Sequence, residues 1–264
     1  MPASRDFPMG PANAAGQMQI LDHLLIIRGL ILQRVRLRYI DHPGEMLLVF
    51  LRPTIICLMH YFIFSVTNRA MPNGVPVESF VWAAFTIWFT FQQVWGAVKG
   101  SRSAPGIHFP GISGMHVRIA IVIWPVLLNS LFCFLSVLLM ITFGDNIPVP
   151  SILLTALVLA ITAFLGLGFG LVVGALGRAI PLLEPFLHMF PYFLLLGSGL
   201  YFSMATIPPV MQHIMVWCPT LHLVEYERHA FDPGYPVGLV SLWYPTYWAI
   251  GLLALGLALS KRFR

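Results

Sequence analysis

The sequence predicts an all-α integral membrane protein. It has six transmembrane helices, an N-terminal amphipathic interfacial helix and an outer re-entrant helix pair between spans five and six. Three observations carry this reading. Of the 264 residues, 58% are apolar and only 9% are charged, against roughly 25% charged in ordinary soluble domains. The charges are bunched, leaving uncharged apolar runs long enough to cross a bilayer. Between two such runs, the stretch from Ala205 to Tyr235 is broken by prolines into pieces too short to cross. The formal charge of +5 does not indicate a nucleic-acid partner, because the Lys and Arg residues cluster at the ends of apolar runs, where membrane topology accounts for them. Cys57, Cys133 and Cys218 lie far apart, without a C-x-x-C pair or metal-ligand spacing, and read as small apolar fillers.

Residues 1–17, MPASRDFPMGPANAAGQ, lack the apolar core of a signal peptide and are expected to form a flexible tail. Residues 18–42 have helical spacing of Ile20, Leu24, Ile27, Ile31 and Val35, with Asp22, Gly29, Gln33 and Arg36 on a narrow polar strip. Asp22 and Arg28 interrupt this run too early for a span, so it is expected to lie in the interface, with its arginines toward anionic headgroups. Spans are then expected at about 46–67, 79–98, 119–143, 152–176, 185–202 and 239–260. Arg52 is the one charge in the first span, close enough to its end to snorkel. In the fourth, Gly166, Gly170 and Gly174 recur every four residues and permit close approach of another helix. No G-x-x-x-x-G-K-[ST] occurs, so the chain carries no phosphate loop of its own.

The uncharged stretch from Pro185 to Val224 is too long for one span and too proline-rich for two. A fifth span followed by two short helices over 205–235 accounts for it. The first, bounded by Pro208, Pro209 and Pro219, has about ten residues, or roughly 15 Å of helix. The second is expected from Thr220, as N-cap, to Phe231, with Asp232, Pro233 and Gly234 as the stop. Non-helical backbone at membrane depth persists only where protein buries it or water lines it, so the pair suggests a pathway. An even number of spans puts both termini on one side. If that side is the cytoplasm, all of the fifteen Lys and Arg residues except Arg69 and Arg228 lie inside.

Several segments carry a resemblance: CPTLHLVEYERHAFDPGY from Cys218 to Tyr235, VVGALGRAIPLLEPFLHMFP around the fourth and fifth spans, Arg36, Arg38 and Tyr39 before the first span, and Ala70, Met71 and Pro72 after it. In these the chain resembles the membrane subunit of capsule-polysaccharide ABC exporters, the KpsM type among type-2 ABC permeases, over nearly all of its length beyond the tail. It departs from that pattern at Pro43, Gly44, Glu45 and Leu47, at Arg52 before Pro53, and at Cys218, where an asparagine is usual. The resemblance implies one transporter transmembrane domain over 18–264, with no catalytic residue, no metal and no cofactor in this chain. ATP and Mg would be bound by two separate nucleotide-binding ATPase subunits. The implied partners are a second copy of the chain, a periplasmic co-polymerase or adaptor, an outer-membrane export protein, and a lipid-linked capsular polysaccharide. The implied location is a bacterial inner membrane. Export of an O-antigen or teichoic-acid type polymer is the alternative within the class.

The resemblance also implies site residues. His108, Phe109, Pro110, Gly111, Ile112 and Ser113 fall where the family has the helix that contacts the ATPase. Arg36, Arg38, Tyr39 and Arg52 stand at the cytoplasmic entrance, where guanidinium forks suit anionic sugars or a lipid phosphate; anchoring of topology explains the arginines equally well. Tyr61, Tyr192, Phe193 and Tyr201 are assigned to the channel lining because flat rings with polar tips stack on sugars, although membrane aromatics more commonly pack or form belts. Trp217, Glu225, Tyr226 and Arg228 are assigned to an outer gate, while the spacing of Glu225, Arg228 and His229 also permits pairing within one helix. One enzymatic alternative remains. His222, Glu225 and His229 share a helix face and present metal-binding residue types, as in an intramembrane metal-dependent enzyme, although no H-E-x-x-H occurs.

Overall fold

The computed structural model describes residues 20–39, 43–67, 71–100, 114–143 and 150–262. The expected tail, the residues from 101 to 113 and the 144–149 connection lie outside these. The described residues form nine α-helices and no strand. They are α1 (Ile20–Tyr39), α2 (Pro43–Val66), α3 (Val77–Gly100), α4 (Gly114–Phe143), α5 (Ile152–Ala179), α6 (Glu184–Gly197), α7 (Pro209–Met215), α8 (Pro219–Phe231) and α9 (Trp243–Arg262).

Three helices among the described residues are long and apolar enough to cross a membrane, over Leu47–Val66, His116–Leu138 and Ile152–Ala179. α3 and α9, of 24 and 20 residues, have the length but a lower density of apolar residues. The helix expected over residues 18–42 forms as α1 and packs against α4 and α2. At that junction His23 Nδ1 lies 2.7 Å from His116 Nε2, so one ring donates to the other.

Three of the expected spans differ in their boundaries, and of these α9 begins at Trp243, later than the predicted 239. α4 begins at Gly114, earlier than the predicted 119, and this first turn carries the His116 contact. The fifth predicted span, 185–202, is helical only over Glu184–Gly197. Its 14 residues reach roughly 21 Å at 1.5 Å per residue, short of a hydrocarbon core of ~30 Å. The helix stops because Gly199 adopts φ +72°, a left-handed conformation suited to glycine, and the chain turns there.

α5 is the central helix, packed along α9 and α3. Its glycines explain how closely these neighbours approach. A Cβ at Gly166 would meet Phe91 O of α3 at 3.1 Å, and one at Gly170 would meet Trp95 O at 2.8 Å. On the other side a Cβ at Gly168 would meet the backbone N of Leu253 at 2.8 Å, and one at Gly256 of α9 would meet Leu171 Cβ at 2.6 Å. Into the α3–α5 seam pack aromatic rings, with Phe91 and Trp95 both against Phe169. α6 differs sharply, since Pro191 is its only buried residue.

Gly170→Leu is expected to force α3 and α5 apart and cost about 1–3 kcal/mol as overpacking. The reading is a lower melting midpoint of the purified protein. Gly177→Leu on the same helix, where a Cβ meets nothing within 4 Å, is expected to leave it unchanged.

Candidate functional site: a sealed helical hairpin

The segment from Gly199 to Tyr235 forms two short helices, as the proline positions predict. Pro209 and Pro219 occupy first-turn positions of α7 and α8, where a missing N–H costs nothing. α7 is shorter than expected, at seven residues. The cap of α8 is also corrected. Cys218, not Thr220, is the N-cap residue, and it makes no side-chain cap hydrogen bond. Its thiol instead lies 3.1 Å from Thr220 Oγ1 and 3.8 Å from Leu194 O at the end of α6.

The stretch between α6 and α7 is largely non-helical, so its carbonyls need partners from elsewhere. Arg228 of α8 provides them. Its Nη1 donates to Phe202 O at 2.9 Å and to Glu225 Oε1 at 2.9 Å. Nη2 donates to Gly199 O at 2.8 Å and Leu200 O at 3.3 Å, and Nε to Phe80 O of α3 at 3.4 Å. A guanidinium has five N–H groups, and here each has an acceptor. The planar head also rests 3.5 Å from the centroid of the Phe80 ring, a desolvated cation–π contact. Arg228 is 1% exposed.

Glu225 balances this charge. Its carboxylate accepts from Arg228, from the Met204 backbone N–H at 3.4 Å and from the Tyr235 hydroxyl at 3.0 Å. Tyr235 Oη is also 2.6 Å from Ser203 Oγ. Having one proton, the phenol donates to the carboxylate and accepts from the serine. Gln212 of α7 does for the rest of the unwound stretch what Arg228 does for its start, donating to Met204 O at 2.8 Å and Ile207 O at 3.1 Å. The Asp232–Gly234 turn is closed by Gly234 N–H to Asp232 Oδ1 at 2.9 Å, which brings Tyr235 back onto α8.

The three residues of the enzymatic alternative point to separate partners. His222 Nδ1 accepts from Ser241 N–H at 2.9 Å, so Nε2 carries the proton and donates to Val216 O at 2.7 Å. Both ring nitrogens are thereby engaged by backbone. His229 Nδ1 contacts Tyr235 O at 3.0 Å, and Glu225 is committed to Arg228 and Tyr235. No group of three potential metal ligands occurs among the described residues.

The remaining predicted residues fall in several places. Trp217 stands at the hairpin tip, 71% exposed, while its backbone carbonyl accepts from Tyr244 of α9. Tyr226 is half-buried, in contrast to the enclosed Glu225 and Arg228. Tyr192 and Phe193 are exposed on α6. Tyr201 meets α2, its ring 5.5 Å from that of His60, the neighbour of half-buried Tyr61. Arg36 and Arg52 are exposed. The side chains of Arg38 and Tyr39, and all of His108, Phe109, Pro110, Gly111, Ile112 and Ser113, lie outside the described residues.

Sequence reasoning missed Phe80, Ser203 and Tyr235 as members of the cage, and also Glu227. That carboxyl is fully enclosed, with the Thr155 side chain beside it. Its position two residues after Glu225 on a helix was the available signal, because it directs the two acids to different faces.

The helices and the sealed hairpin define the class: an all-helical membrane protein in which a short, interrupted helical segment is stabilised from within. Within that class, the chain resembles the KpsM-type membrane subunit of capsule-polysaccharide exporters. It is 24% identical over 240 residues to the polysialic acid transport protein KpsM of Escherichia coli, covering 89% of this chain and 92% of that one; a second KpsM from the same species matches equally. The capsule polysaccharide export inner-membrane protein BexB of Haemophilus influenzae is 28% identical over 134 residues, 49% of this chain and 48% of its own. No protein-family model matches the chain.

Arg228→Ala is expected to leave the Glu225 carboxylate and the Gly199, Leu200 and Phe202 carbonyls unpaired. Loss of one partner of a buried pair costs about 3–5 kcal/mol, read as collapse of the melting transition or of extractable protein. Tyr235→Phe is expected to cost less, about 1–3 kcal/mol, as one lost buried hydrogen-bonding group. A wild-type melting midpoint for Arg228→Ala contradicts the structural role of the cage.

Proposed function

We propose that this chain is the membrane permease subunit of an ATP-driven exporter that moves a lipid-linked capsular polysaccharide out across a bacterial inner membrane. The carrying observation is the similarity over 89% of the chain to polysialic acid transport proteins, joined over 49% of it by a capsule polysaccharide export inner-membrane protein. The sealed hairpin supports it physically. A broken helical segment at membrane depth requires internal satisfaction of its backbone, and the Arg228 cage supplies that beside a thinly packed α6.

In this reading α2, α3, α4, α5, α6 with its unwound continuation, and α9 are the six spans, α1 lies in the interface, and α7 and α8 re-enter from the outer side. Both termini are cytoplasmic. This orientation gathers Lys99, Arg118, Arg178, Lys261 and Arg262 at the cytoplasmic ends of the spans, in keeping with the positive-inside rule. The permease acts as a homodimer with two separate ATPase subunits that bind ATP and Mg, and these contact the chain through His108–Ser113. Arg36, Arg38, Tyr39 and Arg52 receive the anionic substrate. Tyr61, Tyr192, Phe193 and Tyr201 line the path, and the exposed Trp217 with Tyr226 forms the outer gate, for which the Glu225–Arg228 pair is the frame. A periplasmic adaptor and an outer-membrane protein continue the route.

Co-expression with the cognate ATPase subunit tests this. The expected result is co-purification of the two proteins, ATP hydrolysis stimulated by the lipid-linked polymer, and surface polysaccharide that disappears when this chain is deleted. If the ATPase does not associate and the surface polymer persists in the deletion strain, the assignment is wrong.

A further inference from the structure

One cluster of charged and ionisable side chains lies outside the hairpin, where α3 and α6 meet. Lys99, one residue from the end of α3, donates from Nζ to His188 Nε2 of α6. The same ammonium lies 3.6 Å from Glu184 Oε1, and that oxygen lies 3.7 Å from His188 Nε2, one turn along α6. Lys99 is the recessed member, 18% exposed, reaching out to two exposed partners.

The two helices joined here are mechanically unlike. α3 is held along much of its length, with Phe80, Val81, Ala84, Ile87, Phe91 and Val94 all buried. α6 buries only Pro191, and at its start Leu182 and Phe186 are 88% and 74% exposed. Leu187 packs against the core and Phe190 stacks on Phe169 of α5, while the Lys99 contacts tie the start of α6 to the end of α3. A lysine ammonium contributes up to three donors from one point, so it holds both partners at once.

We propose that Lys99, Glu184 and His188 form a positioning clasp that makes the first turn of α6 follow the end of α3, and so relays movement from the ATPase side to the helix bearing Tyr192 and Phe193. This rests on the reading given under Proposed function, in which those ends are cytoplasmic and α6 borders the path. Driven by ATP, α3 moves as part of the packed α3–α5 body, and α6 moves with it while the clasp is closed. An open clasp leaves hydrolysis running and α6 behind.

The test uses the full chain with its ATPase subunit, reconstituted in liposomes and also expressed in cells, reading export, ATP hydrolysis and permease abundance together. Lys99→Glu and Glu184→Lys each place like charges in the cluster. Each is expected to lower export roughly five-fold or more, the lower range of measured coupling effects, while hydrolysis and abundance stay within about two-fold of wild type. The double exchange, Lys99→Glu with Glu184→Lys, is expected to recover most of the export. His188→Gln, which keeps a side-chain acceptor, is expected to export normally, and it serves as the mild variant if a charge reversal reduces abundance; His188→Leu is then expected to show the uncoupled pattern. Export that stays at the wild-type level in both reversals and in His188→Leu overturns the clasp, as does a double exchange no better than either single. If the wild-type complex itself neither exports polymer nor shows polymer-stimulated hydrolysis, the functional reading fails first and the clasp falls with it. Hydrolysis falling in parallel with export and abundance assigns the cluster to folding instead and likewise overturns the proposal.

Discussion

The fold of the second half depends on one constraint: backbone carbonyls in the unwound stretch after α6 have to be satisfied where there is little water. Helices and closed barrels meet this requirement by themselves, but an interrupted helix does not. Arg228 meets it with a rigid fork that reaches Gly199, Leu200 and Phe202, and Phe80 on a different helix. The guanidinium can be enclosed because Glu225 balances its charge, and Glu225 is in turn held by Tyr235 and the Met204 backbone. A buried ion pair is not in general a net source of stability. Here its value is specificity, because the conformation of the 199–204 stretch is the one in which all five N–H groups find acceptors.

Around that hairpin the molecule divides into a tight body and a loose arm. Glycines at 168, 170 and 256 let α3, α5 and α9 approach at distances that a side chain at these positions would not allow without a shift, and aromatic rings close the seam. With dispersion between closely packed helices as the main source of cohesion in a membrane, this body has one arrangement. α6 and much of α2 instead present apolar side chains outward, including Leu47, Leu58 and Phe62 on α2 and Phe186, Met189 and Phe193 on α6. That contrast gives the aromatics different meanings: the rings of Trp88 and Phe91 on α3 are core, whereas Tyr192 and Phe193 are available to a partner or a substrate.

The similarity to the KpsM proteins extends through both halves of the chain, so it covers the tight body and the hairpin alike. The engaged nitrogens of His222 and the committed Glu225 give the polar face of α8 a structural role. Trp217, by contrast, is left exposed at the tip of the same hairpin. One short helix thus carries an enclosed polar face that fixes it and is preceded by a residue free to meet something else.

Much was legible in the sequence because it depends on local composition. Apolar runs between charges marked the long helices to within a few residues for α2, α3 and α5; the prolines at 208, 209 and 219 marked the break into two short helices; and the spacing of Glu225 and Arg228 showed that they could meet. The point where α6 ends was not legible, since Gly199 turns the chain in response to contacts with Leu221 and Arg228 rather than to its immediate neighbours. Nor was the cage, whose backbone acceptors lie 26 to 148 residues from Arg228, or the link between Lys99 and His188, 89 residues apart. By itself the sequence determined which segments prefer lipid and which residues could pair within a turn, because hydropathy and helical spacing are properties of short stretches. Only the tertiary structure decided that Glu225 and Arg228 are enclosed while Trp217 is exposed, because burial of a charge is set by what folds over it.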